Sequence, residues 1–263
     1  MSFLRLLFIE LNRIRFLFLA LVAIVVITQF ALTLLLPRYW VGQIESGEMI
    51  PSITFTFINV FEHGIYSLSL ALPVITIGLY IFIVWYRDWF GQGTFMKRLL
   101  MLPSSRMNVF AAKLVTIVLV TLAVVSIYRL VLPLQMGLFE WVLPNSLYGG
   151  QIEPFYLFHS LNSALAIVYP PTLLDFFVVY GLGITLVCVL FSAILFERSF
   201  GFIGLGIGAA YVVAAFMLYG VASHFVVRVN GIELLLVMLG VTLGICAVSL
   251  FVSRFLLLRK VTV

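Results

Sequence analysis

Six long apolar runs dominate the pattern of hydrophobic and polar positions along the chain. A helix rises about 1.5 Å per residue, so about 20 apolar residues can cross the ~30 Å hydrocarbon core of a membrane. The pattern therefore predicts an all-α integral membrane protein with six transmembrane helices in a single transmembrane domain, 1–263. The runs cover about 16–36, 64–86, 114–136, 174–196, 200–222 and 233–253.

The composition agrees with this pattern. Hydrophobic residues make up 64% of the 263 residues and charged residues only 10%, which is more apolar surface than a soluble domain of this length can bury. The run 16–36 is too long for the apolar region of a signal peptide, and Pro37, Arg38, Tyr39 and Trp40 follow it. We therefore expect a retained helix at that position.

Basic residues are distributed unevenly between the two sides of this six-span arrangement. Twelve of the fifteen Lys and Arg residues fall on the side that carries both termini, together with only three of the ten acidic residues. Cytoplasmic segments of membrane proteins carry an excess of basic residues. We therefore expect both termini, and the loop formed by residues 87–113, to be cytoplasmic.

Residues 1–15 precede the first run and mix apolar with basic positions. Phe3, Leu7 and Ile14 fall on one side of a helix, and Arg5 and Arg13 belong to the polar remainder. This distribution predicts an N-terminal amphipathic helix that lies along the inner membrane surface.

The loop between the second and third runs contains a short apolar helix bordered by basic residues. Thr94 can cap this helix, and Pro103 ends it because the residue before a proline avoids the helical region. A second helix is expected to begin near Arg106, after a serine cap, and to run through Lys113 into the third span. A helix as short as the first needs a surface for its apolar side. Either the anionic membrane surface or a groove on a cytoplasmic partner would supply that surface.

The order of residues in this loop resembles that of the permease subunits of ABC-2 type ATP-binding-cassette transporters. In that family the loop typically carries an acidic residue, Gly-Thr, Leu-Leu, Pro, a small residue followed by Arg, and a Lys at the entry to the third span. Residues 1–15 look like the family's elbow helix, so the resemblance covers the whole topology. The chain departs from the pattern at its acidic position, where the family more often has Glu. The matching positions are Asp88, Gly93, Thr94, Leu99, Leu100, Pro103, Ser105, Arg106 and Lys113.

The resemblance implies that the short helix is a coupling helix, which docks into a cleft of a separate cytoplasmic ATP-binding-cassette ATPase. Phe95, Leu99 and Leu102 would then fill the cleft. Arg98 and Arg106 would pair with its carboxylates. These roles would make the loop the element through which the ATPase moves the membrane helices.

The resemblance further implies an exporter subunit in the bacterial cytoplasmic membrane, paired with a second copy of itself or with a sister permease. ATP and Mg would be bound by the partner ATPase, so this chain would hold no cofactor and catalyse no reaction. No nucleic-acid partner is expected. The short outer loops and apolar spans suit an amphipathic, lipid-like or peptide substrate. Pro103 would hold the end of the coupling helix rigid.

Arg129 lies near the outer end of the third span. A charge at this depth is costly unless it reaches the interface or finds a partner. One interpretation is that it snorkels to the outer interface beside Tyr128. The other is that it faces a central cavity on the transport pathway, where it meets Glu62, Glu140 or Asp175.

Two glycine pairs have the small-xxx-small spacing that lets helix backbones approach closely. They are Gly204 with Gly208, and Gly240 with Gly244. Such pairs serve either packing within one subunit or, through the fifth span, a contact between two permeases.

Patterns for catalysis and metal binding are missing from the sequence. The segment GQGTFMKR, residues 91–98, lacks the spacing of a phosphate-binding loop, and no H-E-x-x-H motif occurs. Two further classes stay open. A membrane-embedded enzyme acting on lipid or peptide would need convergent catalytic groups, and an ion-driven secondary transporter would need an acid well inside a span.

Overall fold

The structure, a computed structural model, describes residues 3–48, 54–90, 106–150, 170, 172–226 and 232–259. Helices account for almost all of this part of the chain, and no strand longer than an isolated bridge occurs in it. The helices are α1 (Phe3–Glu45), α2 (Phe57–Phe61), α3 (Gly64–Phe90), α4 (Arg106–Val142), α5 (Leu173–Val226) and α6 (Ile232–Arg259).

Five of these helices, all except α2, are long and apolar enough to cross a membrane. Each of the six apolar runs lies inside one of them, and the runs 174–196 and 200–222 both lie inside α5. The prediction of an all-α, multi-pass membrane protein is confirmed at this level. The helix predicted to begin near Arg106 is present from Arg106, the first residue described after the segment 91–105.

The N-terminal amphipathic helix is not a separate element, which corrects the boundary predicted after residue 15. Residues 3–45 form one helix, about 65 Å long. The reason is local: no glycine or proline occurs between Phe3 and Leu36, so nothing interrupts the backbone hydrogen bonds. Leu6 and Glu10 are buried on the protein side of this N-terminal segment, while Leu4 is exposed.

Helix α5 contains a sharp break at Gly201. Its φ of 60° and ψ of −134° are not helical, and L side chains rarely adopt this conformation. A Cβ placed on Gly204 would collide with the carbonyl oxygen of Phe196, and one on Gly208 would lie 2.8 Å from that of Ala193. The residue number in the second half increases from 204 to 208, while that of the contacted residue in the first half decreases from 196 to 193. The two halves, 173–200 and 202–226, therefore pack against each other in opposite directions.

Helix α6 packs along the first half of α5 in the same direction. The Thr185 hydroxyl donates to the Thr242 carbonyl (3.2 Å), and the Ser192 hydroxyl donates to the Ser249 carbonyl (3.1 Å). Both pairs are 57 residues apart in the chain, and a constant separation means parallel helices. The two halves of α5 and helix α6 thus form three successive passes of alternating direction between Leu173 and Arg259.

The chain divides into two compact units. The first unit comprises Met1–Arg13, Gly78–Leu119 and Pro170–Val263, and it contains the three passes just described. The second unit comprises Ile14–Ile77 and Val120–Tyr169, and it contains most of α1, all of α2, the beginning of α3 and the end of α4.

Aromatic side chains form one end of the second unit. The rings of Trp40 and Phe55 stack, with centroids 4.6 Å apart and planes 8° from parallel. Phe57 packs edge-on against Tyr66 and Phe139. We call these five residues the aromatic cap, and all of them are buried.

An isolated parallel β-bridge between Phe55 and Tyr148 joins the loop after α1 to the loop after α4. The Phe55 amide donates to the Leu147 carbonyl (2.8 Å), and the Gly149 amide donates to the Phe55 carbonyl (2.9 Å). A Cβ at Gly149 would lie 2.9 Å from the Thr56 methyl carbon, so only glycine permits this approach without displacement. The loop after α1 and the loop after α4 are therefore held together by backbone hydrogen bonds.

Candidate functional site

Most of the residues assigned to coupling with an ATPase lie outside the described part of the chain. The structure describes three of them, Asp88, Arg106 and Lys113, which border the segment 91–105 on its two sides. Those outside the described residues are Gly93, Thr94, Phe95, Arg98, Leu99, Leu100, Leu102, Pro103 and Ser105.

Lys113 lies at the centre of a buried charge cluster in the first unit. Its side chain is completely buried, and its ammonium group donates to the Glu10 carboxylate (3.0 Å), the Val84 carbonyl (3.0 Å) and the Asp88 carboxylate. An ammonium group has three donors, and these three acceptors use all of them. Helices α1, α3 and α4 thus meet at one lysine.

Both carboxylates of the cluster are fully engaged. Arg87 donates to the second oxygen of Glu10 (3.1 Å), and Arg13 donates to the second oxygen of Asp88 (3.0 Å). The two arginine side chains retain 34% and 28% exposure, whereas Lys113 retains none. Buried charges are tolerated when they are paired and hydrogen-bonded in this way. We call these five residues, Glu10, Arg13, Arg87, Asp88 and Lys113, the charge cluster.

Aromatic rings lie next to Lys113, the completely buried member of the charge cluster. Trp85, Phe110 and Phe191 are completely buried or nearly so, and Phe191 packs edge-on against both other rings at centroid distances of 5.3 Å. The Lys113 ammonium lies 5.5 Å from the centre of the Trp85 ring, within the range of a cation–π interaction. These rings come from α3, α4 and α5, so their contacts connect α5 to the helices that carry the charge cluster.

Arg106 is bound within the chain at the first residue of α4. Its guanidinium donates to the Leu257 carbonyl (2.8 Å), which belongs to the last turn of α6. The last four carbonyls of a helix have no donor inside that helix, and a basic side chain is a common substitute. Arg106 thus caps α6, in addition to the partner contact predicted for it.

The end of α3 is also attached to α5. The Tyr86 hydroxyl donates to the Glu197 carboxylate, and the Arg198 guanidinium lies 5.0 Å from the centre of the Tyr86 ring and 5.6 Å from that of Trp89. Both flanks of the segment 91–105 are therefore fixed to other helices, the first flank to α1 and α5, the second to α1 and α6.

Of the residues assigned to a transport pathway, Arg129 and Glu140 do not contact each other directly. Arg129 is exposed on α4 and precedes Glu140 by eleven residues on the same continuous helix, a rise of about 16 Å that the two side chains cannot bridge directly. Asp175 belongs to a reciprocal hydrogen-bond pair with Thr172 that caps the start of α5. Glu62 is exposed at the C-terminal end of α2.

Glu140 makes a local contact with the loop after α4. It accepts a hydrogen bond from the Tyr148 hydroxyl (2.7 Å). Burial, this hydrogen bond and the negative charge of Glu140 raise the pKa of Tyr148 to about 12. The pair holds the loop after α4 against the end of that helix.

The two glycine pairs differ in their surroundings. Gly204 and Gly208 pack against the first half of α5 in the same chain, as described above. A Cβ at Gly240 or Gly244 would meet nothing within 4 Å. Only the first pair therefore has a close backbone neighbour among the described residues of this chain.

Sequence reasoning missed Glu10, Arg13 and Arg87 as members of the site. Glu10 is the only acid among the first 44 residues, and an acid on an otherwise apolar and basic segment was the available signal. Its partners lie 77 and 103 residues further along the chain, and no periodicity links positions so far apart.

The described residues contain no group of three or more His, Cys, Asp or Glu side chains that could hold a metal ion. Comparison with known proteins gives no match of the chain to a family model, a curated protein or a solved structure. The resemblance of the loop to ABC-2 permeases therefore stays a prediction.

Proposed function

We propose that this chain is the membrane-spanning subunit of an ABC-2 type exporter in the bacterial cytoplasmic membrane, driven by a separate cytoplasmic ATPase. The observation that carries the proposal is the charge cluster. It ties the last turn of α3 to the first turns of α4 through Asp88 and Lys113, and it ties both to α1 through Glu10. A partner that displaces the segment 91–105 would therefore displace three helices together.

The chemistry of the segment itself supports a protein partner. Residues 91–105 contain the basic residues Lys97 and Arg98 and no acidic residue, and Arg106 follows directly. Apolar residues separate these charges, which suits a groove with an apolar floor and acidic walls. Because Asp88 and Lys113 are buried and paired, they serve to hold the segment, and the contact with the ATPase falls to the segment's own side chains.

Six transmembrane passes follow if each half of α5 crosses the membrane. The antiparallel packing of these halves and the parallel packing of α6 with the first half support that count. Six passes put both termini and the segment 91–105 on one side, which the excess of basic residues identifies as the cytoplasm. A second permease copy or a sister permease completes the transporter, and the substrate is amphipathic, lipid-like or a peptide.

The proposal is tested by purifying the tagged chain from its native membrane in mild detergent and identifying stoichiometric partners by mass spectrometry. We expect an ATP-binding-cassette ATPase with the unmodified chain and its loss with Leu99→Glu. Arg254→Glu is the matched control, since Arg254 is exposed and lies outside the segment. If the unmodified chain brings down no such ATPase, or if Leu99→Glu retains it, the proposal is wrong and the enzyme or secondary-transporter interpretation takes its place.

A further inference from the structure

A buried network of neutral polar side chains crosses the second unit close to a proline in α3. Gln29, Tyr66, Ser69 and Gln135 are each no more than 6% exposed, and they come from α1, α3 and α4. Polar groups are costly among apolar helices unless they are hydrogen-bonded. Their contacts therefore show what the network holds in place.

The hydrogen bonds of this network form a closed ring. The Tyr66 hydroxyl donates to the Gln135 carbonyl oxygen (2.7 Å), and the Gln135 amide donates to the Gln29 carbonyl oxygen (3.0 Å). The Gln29 amide donates to the Ser69 hydroxyl (3.2 Å), which donates to the backbone carbonyl of Tyr66 (2.7 Å). Residues 66 and 69 of α3 are thus bound on two sides, by α1 and by α4.

Pro73 leaves a gap in the backbone hydrogen bonds of α3. A proline nitrogen carries no hydrogen, so the carbonyl of Ser69, four residues earlier, has no helical donor. The Tyr128 hydroxyl of α4 lies 3.2 Å from this carbonyl oxygen and donates to it. A side chain from another helix therefore replaces the bond that the proline removes.

We propose that residues 64–72 form a hinged segment, with Pro73 as the hinge and with Tyr128, Gln29 and Gln135 as the latch. One backbone hydrogen bond that would connect the segment to the rest of α3 is missing, the bond to the Ser69 carbonyl. Hydrogen bonds from neighbouring helices compensate for that loss. When the latch bonds break, the segment swings about Pro73 and carries Tyr66 out of the aromatic cap. This inference concerns one end of the second unit and does not depend on an ATPase partner.

The experiment is hydrogen–deuterium exchange by mass spectrometry on the full chain in detergent micelles, read on peptides that cover residues 57–75. Tyr128→Phe removes the substitute donor, and we expect exchange in 64–72 to rise about fivefold, as the loss of one buried hydrogen bond implies. With Pro73→Ala the new backbone N–H can donate to the Ser69 carbonyl. In that background we expect Tyr128→Phe to change exchange less than about twofold, because the donor that it removes is no longer needed.

Two further variants make the result decisive. Gln29→Met removes a bond to the Ser69 hydroxyl, so it should raise exchange in 64–72 both with Pro73 and with Pro73→Ala. Ser126→Ala is the control on α4, because Ser126 is exposed and bonds to the carbonyl of its own helix at Leu122 (2.8 Å). If Tyr128→Phe raises exchange equally with Pro73 and with Pro73→Ala, or in neither background, the hinge is refuted. A rise spread equally over all peptides would also refute it.

Discussion

Asp88 and Lys113 lie 25 residues apart in the chain, and their side chains form an ion pair that is 2% and 0% exposed. Asp88 lies in the last turn of one long helix and Lys113 two turns into the next. The ion pair therefore joins the two helix ends that border the segment 91–105. Glu10 adds a third helix to the same contact (3.0 Å). A change at either residue of the pair should therefore affect three helices at once.

Replacing Lys113 with Met should destabilise the protein strongly. The change leaves Glu10 and Asp88 buried with one cation fewer, and removing one partner of a buried ion pair typically costs about 3–5 kcal/mol. The free energy of unfolding in detergent micelles measures this effect. Arg254→Met is the matched control, since that side chain is exposed. A loss below about 1 kcal/mol would show that water or neighbouring groups already screen the cluster.

The glycine contact between the two halves of α5 predicts a contrast between neighbouring positions. Gly208→Val would force a side chain toward the Ala193 carbonyl oxygen, 2.8 Å from the new Cβ, and overpacking of this kind costs about 1–3 kcal/mol. Gly206→Val meets nothing within 4 Å and makes the same chemical change. Thermal unfolding of the two variants compares them directly. Equal melting temperatures would contradict the antiparallel packing.

The break at Gly201 predicts which side of the membrane residue 202 faces. The Phe202 side chain is 97% exposed. We expect Phe202→Cys to react with an impermeant maleimide from the same side as Arg5→Cys and Arg259→Cys. The parent chain for this labelling carries Cys188→Ser and Cys246→Ser. Labelling of position 202 from the opposite side, or from neither side, would mean that α5 does not cross the membrane twice.

Removing the ring of Phe55 should loosen the aromatic cap. Phe55 is 5% exposed and stacks on Trp40, and truncating a buried phenylalanine to alanine costs about 3–5 kcal/mol. Phe216→Ala removes an equal ring that is 60% exposed. The free energy of unfolding in micelles should fall much further for Phe55→Ala. If the two variants lose similar free energies of unfolding, the prediction is wrong and the packing of the aromatic cap contributes little to stability.

Hydropathy predicted where the long apolar helices lie because a run of about 20 apolar residues has few stable environments other than a membrane. Each predicted run lies within a helix, but the helices extend further than the runs. Helix α1 continues through Arg38 and Gln43 to Glu45, since polar residues do not end a helix by themselves. A hydropathy pattern also takes no account of tertiary contacts such as the stacking of Trp40, near the end of α1, on Phe55.

The candidate site was only partly predictable. The resemblance of the loop drew attention to Asp88 and Lys113, but a hydropathy pattern treats a charged residue as solvent-facing. That assumption fails at Lys113, which finds three acceptors on α1 and α3. Gln29 and Gln135 were missed for the same reason: a single amide in an apolar run gives no sign of which helix it will meet.

The segment 64–72 contains no charged residue, and none of the three side chains of the latch, Gln29, Tyr128 and Gln135, is charged. Moving one elementary charge through a membrane potential yields about 2.3 kcal/mol per 100 mV, and a neutral segment gains none of this energy. The voltage across the membrane therefore does no work on a side-chain charge when this segment moves. Contacts with α1 and α4, the two helices that supply the latch, hold the segment instead.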